Sequence, residues 1–351
     1  MSNLELEPQE TRCGADDGDV AGVELIVPRD VPLGGLRAMP VRRTLPSKER
    51  SLIGAWCFLD HYGPDDVSLT GGMRVPPHPH TGLQTVSWLF TGEIEHRDSA
   101  GHQALVRPGE LNLMTAGSGI NHSEYSTPGT TVLHGAQLWT ALPDAFRHAD
   151  PGFERYVPQP VALAGVSGEP VGEARVFLGS LLGDVSPVQT YSPLLGAELT
   201  LGPHAAVVLE VDATFEHGIL ADNGDAAIEG TEVPQSVLAY LAPGRSALRL
   251  ANDGDAQLRL LLLGGRPFEE EITMWWNFVG RDHDEIVGYR AAWQREIGAE
   301  AASGEEESMA HDGARFGPVV ELTHGEAALP APALPHVRLR PRGGSRERNH
   351  G

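Results

Sequence analysis

From Val23 to Leu142 the chain is a succession of short apolar runs, each about the length of a strand and interrupted by Gly, Pro, Asp or Asn. The runs SLIGAWCFLD, LQTVSWLF, QALVRPGELNLMTAG and TTVLHGAQLWTAL carry turn residues at or near their ends, and none shows a capped helical stripe. That pattern predicts an all-β sandwich or barrel. A proline-rich interval, ALPDAFRHADPGFERYVPQPVALAG, then interrupts it. Strand-like runs resume in ARVFLGSLLG, LLGAELTLGP, AAVVLEV, SVLAYLAPG, ALRLAND and AQLRLLLLGG, predicting a second β domain. After Gly265 the character changes again. A helix is expected to start near Asp282 or Asp284, with Ile286, Tyr289 and Trp293 on one face. The expected organisation is an acidic leader over 1–22, a first domain over 23–145, a linker over 146–168, a second domain over 169–296, and a loop and Pro/Arg-rich tail over 297–351.

Composition narrows the class of function. The 351 residues are 40% apolar and 21% charged, enough to build packed cores. A net charge of −22 is repelled by phosphate backbones and by anionic membrane surfaces, so neither direct nucleic-acid binding nor membrane docking is expected. No apolar run reaches the roughly 18 residues of a membrane helix, and the leader has no signal-peptide pattern. A cytoplasmic monomer is the expectation. Cys13 and Cys57 read as two free thiols.

Among 15 histidines, two places stand out. In Pro76-Pro77-His78-Pro79-His80, proline favours extended backbone, and alternate residues of a strand share a face. His78 and His80 therefore project together. In Ile120-Asn121-His122-Ser123-Glu124 the same spacing pairs an imidazole with a carboxylate. Two such strands facing each other would place three nitrogens and one oxygen around one ion. A glycine, Gly72, precedes His78; Gly92 closes a hairpin after LQTVSWLF; a Pro108-Gly109 turn follows before the second pair. This order is close to the two-part cupin motif.

HPHTGLQTVSWLFTGEIEHRDSAGH and PGELNLMTAGSGINHSEYS, with FLDHYGP at 58–64 and HGAQLWTALP at 134–143, resemble the pirin family of bicupins. The resemblance spans about 50–143 closely and 170–290 more loosely. It implies two cupin-type domains, the first holding one iron on His78, His80, His122 and Glu124, the second without metal. Imidazoles with one carboxylate suit Fe(II) or another first-row divalent metal. One departure is Gln84, where pirins carry a glutamate; that position is expected near the metal, which leaves Glu124 as the base.

Two functions follow from the resemblance. One is a quercetin (flavonol) 2,3-dioxygenase using Fe(II) and O2 on a small aromatic substrate. The other is a non-enzymatic, redox-responsive regulator that binds a transcription factor or metabolic enzyme. Elsewhere, His134 is expected in the core or near the ligands; His61, His96 and His102 at solvated turns; His204 and His217 in structural roles. Trp56, Trp88 and Trp139 are expected in the core, with Trp275-Trp276 sealing the junction between domains.

Overall fold

A computed structural model describes residues 22–33, 39–299, 314–320 and 325–343. The acidic leader up to residue 21, Cys13 included, and residues 300–313 of the expected C-terminal loop lie outside the described residues.

The chain forms two antiparallel β domains, each with a seven-stranded and a four-stranded sheet. In the first domain the large sheet runs, in spatial order, through Gly152–Tyr156, Leu111–Thr115, Leu83–Thr91, Val132–Ala141, Trp56–Asp66, Met39–Leu45 and Arg29–Leu33. The small sheet runs through Arg74–His80, Ile120–Ser126, Ile94–Asp98 and Gln103–Val106. The runs Leu83–Thr91 and Ile94–Asp98 do not form the expected hairpin, because they belong to different sheets. Gly92 (φ +93°) instead turns a corner between sheets, and Gly82 (φ +67°) makes the matching corner after His80. A Cβ at Gly82 would lie 2.3 Å from the Val279 carbonyl oxygen, so the corner has room only for glycine. Strands that switch sheets this way wrap one interior, filled by Phe58, Leu83, Met114, Ile120 and Trp139 at one end and Val41, Tyr62, Val75 and Leu133 at the other.

The second domain repeats the plan around Val176, Leu199, Leu209, Ile219, Leu248 and Leu260. Its large sheet ends in an unexpected strand: Glu24–Ile26, assigned above to the first domain, pairs with Leu238–Leu241 of the second. The expected linker also contains two strands, Gly152–Tyr156 and Pro160–Ala164, each at a sheet edge. Proline is tolerated there because an edge strand leaves one row of N–H positions unused.

The junction between domains is built by tryptophans other than those expected. Trp56 Nε1 donates to the carbonyls of Leu195 (3.2 Å) and Gly264 (3.1 Å) across the boundary. Trp88 stacks on Phe177 at 4.5 Å and donates to Glu198 at 2.6 Å. Each indole thus buries a large apolar body with its N–H satisfied by the other domain. Trp275 and Trp276 pack instead with Phe278, Tyr289, Trp293 and Phe316 beneath the C-terminal helix.

That helix spans His283–Glu296 and is capped by Asp282, whose side chain accepts from the Glu285 amide; Ile286, Tyr289 and Trp293 are buried along it. The tail packs against the first domain. Phe316 and Leu339 are buried, and the Asn121 amide donates to the carbonyls of Phe316 (2.8 Å) and Pro318 (2.9 Å). The tail therefore straps the outside of the small sheet, bracing the strand that carries His122 and Glu124.

Candidate metal centre

The strands Arg74–His80 and Ile120–Ser126 are hydrogen-bonded neighbours in one sheet, side by side rather than facing. Their register pairs His78 with His122, and a bulge follows His122, so Glu124 lies opposite Val75. Ring centroids are 4.3 Å apart for His78–His122, and 5.0 Å for His78–His80 and His80–His122. Ligating atoms of the three imidazoles lie within 4.8 Å of one another; so do those of His122, Glu124 and His96. All five side chains are buried.

The donor set fits a cation. His78 Nδ1 lies 2.8 Å from the Pro76 carbonyl, to which only its N–H can donate, so the lone pair is on Nε2. Among the described residues, Nε2 of His78 and of His122 are buried without a hydrogen-bond partner, an arrangement costly for a polar atom unless something else occupies that direction. Burial drives the His78 imidazolium pKa down to about 4 and holds those of His80 and His122 well below the ordinary range, with neighbouring imidazoles adding to the effect. Neutral imidazoles at pH 7 are the form that ligates metal. Trp139 meets His80 edge-on at 5.1 Å while stacking on Phe58 at 3.9 Å. Ser87 Oγ donates to Gln137 Oε1 at 2.8 Å and reaches Glu124 Oε1 at 3.5 Å.

Gln84 does not share this interior. On its strand Leu83 packs with Trp139 inside and Ser87 reaches Glu124, whereas Val86, Trp88 and Phe90 face the domain junction. Period-two alternation puts Gln84 on the junction side. Its amide donates to Thr115 Oγ1 at 3.0 Å, and its carbonyl accepts from Thr140 at 3.4 Å. The expectation that residue 84 lies beside the metal is therefore overturned by strand phase. Gln84→Glu should leave metal affinity unchanged and lower stability by about 1–3 kcal/mol, since it buries a charge and discards a donor. Chelator competition and urea midpoints check both, and a tenfold change in affinity would restore residue 84 to the interior.

Two of the minor histidines differ from expectation. His61 and His96 are buried rather than solvated. His96 Nδ1 lies 3.2 Å from His122 Nδ1, and His102 contacts Asp98 at 3.1 Å. His134 does not approach the His78 cluster; it joins His61 and Asp222 of the second domain. Nε2 of His61 and of His134 each lie 2.7 Å from Asp222 Oδ1. Arg42 Nε donates to His61 Nδ1 at 3.3 Å, so the proton of neutral His61 is on Nε2, facing Asp222. Arg259 donates to Asp222 Oδ2 at 3.0 Å. Two guanidiniums oppose a further cation here, and the network reads as a clasp between domains. His204 is exposed against Asp255, and His217 is buried.

His96 and Asp98 carry the same i, i+2 signal as the ligand pairs and were legible on that ground. Asp222 was not, since it lies about 160 residues from His61.

Comparison with known proteins agrees with this architecture. The sequence profile of pirin matches residues 38–140, and that of the pirin C-terminal cupin domain matches residues 196–297. A Pseudomonas aeruginosa protein named "Putative quercetin 2,3-dioxygenase PA1205" is 43% identical over 78% of this chain and 84% of its own length. A pirin-like protein of Caulobacter vibrioides is 35% identical over 72% of this chain and 88% of its own. The crystal structure of a quercetin 2,3-dioxygenase from Acinetobacter baumannii superposes with a TM-score of 0.79 at 35% identity, over 91% of this chain and 97% of that one. Two tandem cupin domains and both profiles in register with them make this chain a member of the pirin family.

Proposed function

We propose that His78, His80, His122 and Glu124 bind one first-row divalent metal, Fe(II) in the cytoplasm, and that the protein is a dioxygenase of the quercetin 2,3-dioxygenase type. The observation that carries this reading is the buried set of three neutral imidazoles with Glu124 beside His122, in which Nε2 of His78 and His122 have no hydrogen-bond partner among the described residues. The names of the Pseudomonas and Acinetobacter relatives support a flavonol-like substrate and O2.

A metal held there supplies Lewis acidity and a redox path to dioxygen. The remaining work falls to this chain. Glu124 takes the proton of an acidic aromatic hydroxyl at a carboxylate oxygen, with the Ser87 hydroxyl 3.5 Å from Oε1. The Tyr62 hydroxyl and Trp139 indole N–H are buried without hydrogen-bond partners among the described residues and offer donors to an oxygenated ring. Burial excludes bulk water from the ligand set.

Iron-loaded protein should consume oxygen when given quercetin, and Glu124→Gln should lower kcat by about 10²–10⁴-fold through loss of the base. An oxygen electrode reads both. No uptake by fully loaded protein would sink the oxygenase reading and leave the centre to a non-enzymatic role.

A further inference from the structure

We infer that Asp98, acting through His96, sets the tautomer of His122 and so makes that side chain a metal ligand. The inference rests on the reading that His122 binds metal through Nε2. It adds two positioning residues, neither of which would touch the metal.

His122 and His96 approach through Nδ1 and Nδ1, at 3.2 Å. One proton lies between two such atoms in neutral imidazoles, so one ring donates and the other accepts. His96 Nε2 in turn lies 3.3 Å from Asp98 Oδ2. An ionised carboxylate only accepts, so the proton of neutral His96 is placed on Nε2. His96 Nδ1 is then bare and must accept from His122 Nδ1–H. The lone pair of His122 falls on Nε2, the buried atom without a protein partner. The reverse order would aim a His96 lone pair at a carboxylate and put a proton where the ligand atom must be.

Asp98 is built to stay a carboxylate. Oδ1 accepts from the backbone amides of Ala100 and His102, each at 3.0 Å, and His102 Nδ1 lies 3.1 Å from either oxygen. The His96 ring is confined by His122 on one side, at 5.0 Å between centroids, and Phe153 on the other, at 4.7 Å. The backbone register places His122 opposite Asp98 and Glu124 opposite His96 on adjacent strands, so the relay is fixed by the sheet itself. A carboxylate-backed imidazole is a stronger donor to a metal than an isolated one.

Two measurements test this. Long-range 1H–15N correlation spectra of the metal-free protein at pH 7 should show His122 protonated on Nδ1 and His96 on Nε2. A His122 Nε2–H signal would overturn the inference, with no metal involved. Cobalt(II) affinity is then measured by chelator competition. His96→Phe, which keeps the ring and its packing on Phe153, should bind about 10–100-fold more weakly. His96→Gln, which retains an acceptor and a donor, should recover most of that loss. Equal affinities for unmodified protein and His96→Phe would overturn the inference. So would X-ray absorption showing one imidazole fewer around cobalt in His96→Phe than in unmodified protein, since His96 would then be a ligand itself. If unmodified protein binds no cobalt, the four-ligand reading fails, while the tautomer spectra still decide the relay.

Discussion

Replacing His78 and His80 together by alanine is expected to take metal content from close to one ion per chain to none. Two of the four donors disappear, and the remaining pair, His122 and Glu124, cannot close a coordination sphere alone. The same double variant should fold without metal, because removing buried imidazoles also removes their unsatisfied nitrogen atoms, offsetting part of the cavity cost. The difference in thermal stability between the two proteins should widen when metal is present. Unmodified protein gains about 2.7 kcal/mol at a metal concentration 100 times Kd, and the variant gains nothing. Elemental analysis after anaerobic loading, with thermal unfolding beside it, reads both effects. Two ions per chain would mean that the His61–His134–Asp222 cluster also binds metal, and would sink its reading as an ion-pair clasp.

Asp222→Ala is expected to cost about 3–5 kcal/mol, the usual penalty for stripping one partner from a buried ionic network. The substitution leaves two imidazole N–H groups and the Arg259 guanidinium facing a cavity between the domains. The clasp also makes stability depend on pH, with a definite sign. Burial alone would raise the Asp222 pKa, but hydrogen bonds from His134 and His61 outweigh it and hold the carboxyl below its ordinary range. Burial lowers the pKa of His61 despite the bond to Asp222, and lowers that of His217 to about 4. A depressed histidine is neutral in the fold and protonated in the unfolded chain below about pH 6.5. Its contribution is therefore complete above that pH and lost as pH falls toward the folded value. Asp222 adds a second loss below about pH 4, the unfolded carboxyl value. Unfolding midpoints in urea should stay level from pH 8 to 7 and fall progressively below 6.5. In Asp222→Ala the loss below about pH 4 should disappear, whereas the loss below about 6.5 should persist, because Asp222 raises rather than lowers the His61 pKa. A midpoint that rises on acidification would contradict the neutral, buried state of these histidines.

Much of this protein was legible before folding. Strand-length apolar runs and frequent turn residues were enough for two β domains, since a run too short for a helix and bounded by turns buries itself as a strand. The H-x-H and H-x-E spacings singled out His78, His80 and His122, whose ligating atoms lie within 4.8 Å of one another, and Glu124, which joins His122 and His96, because i and i+2 share a face wherever the strand lies. The Asp282 cap and the buried stripe of Ile286, Tyr289 and Trp293 were likewise local properties. What alternation cannot supply is which sheet a strand joins and which side of it is inward. Gln84 was misplaced for that reason: counting four residues from His80 does not reveal that the chain turns a corner at Gly82, which resets the face. Trp56 and Trp88 looked like any core residues, yet their indole donors are satisfied only by the other domain. His61, His134 and Asp222 had no common spacing; packing of the two domains alone makes them neighbours. Local chemistry was thus determined by residue type and spacing, which act over a few bonds, while proton positions and the domain clasp were decided by tertiary contacts between residues far apart in the chain.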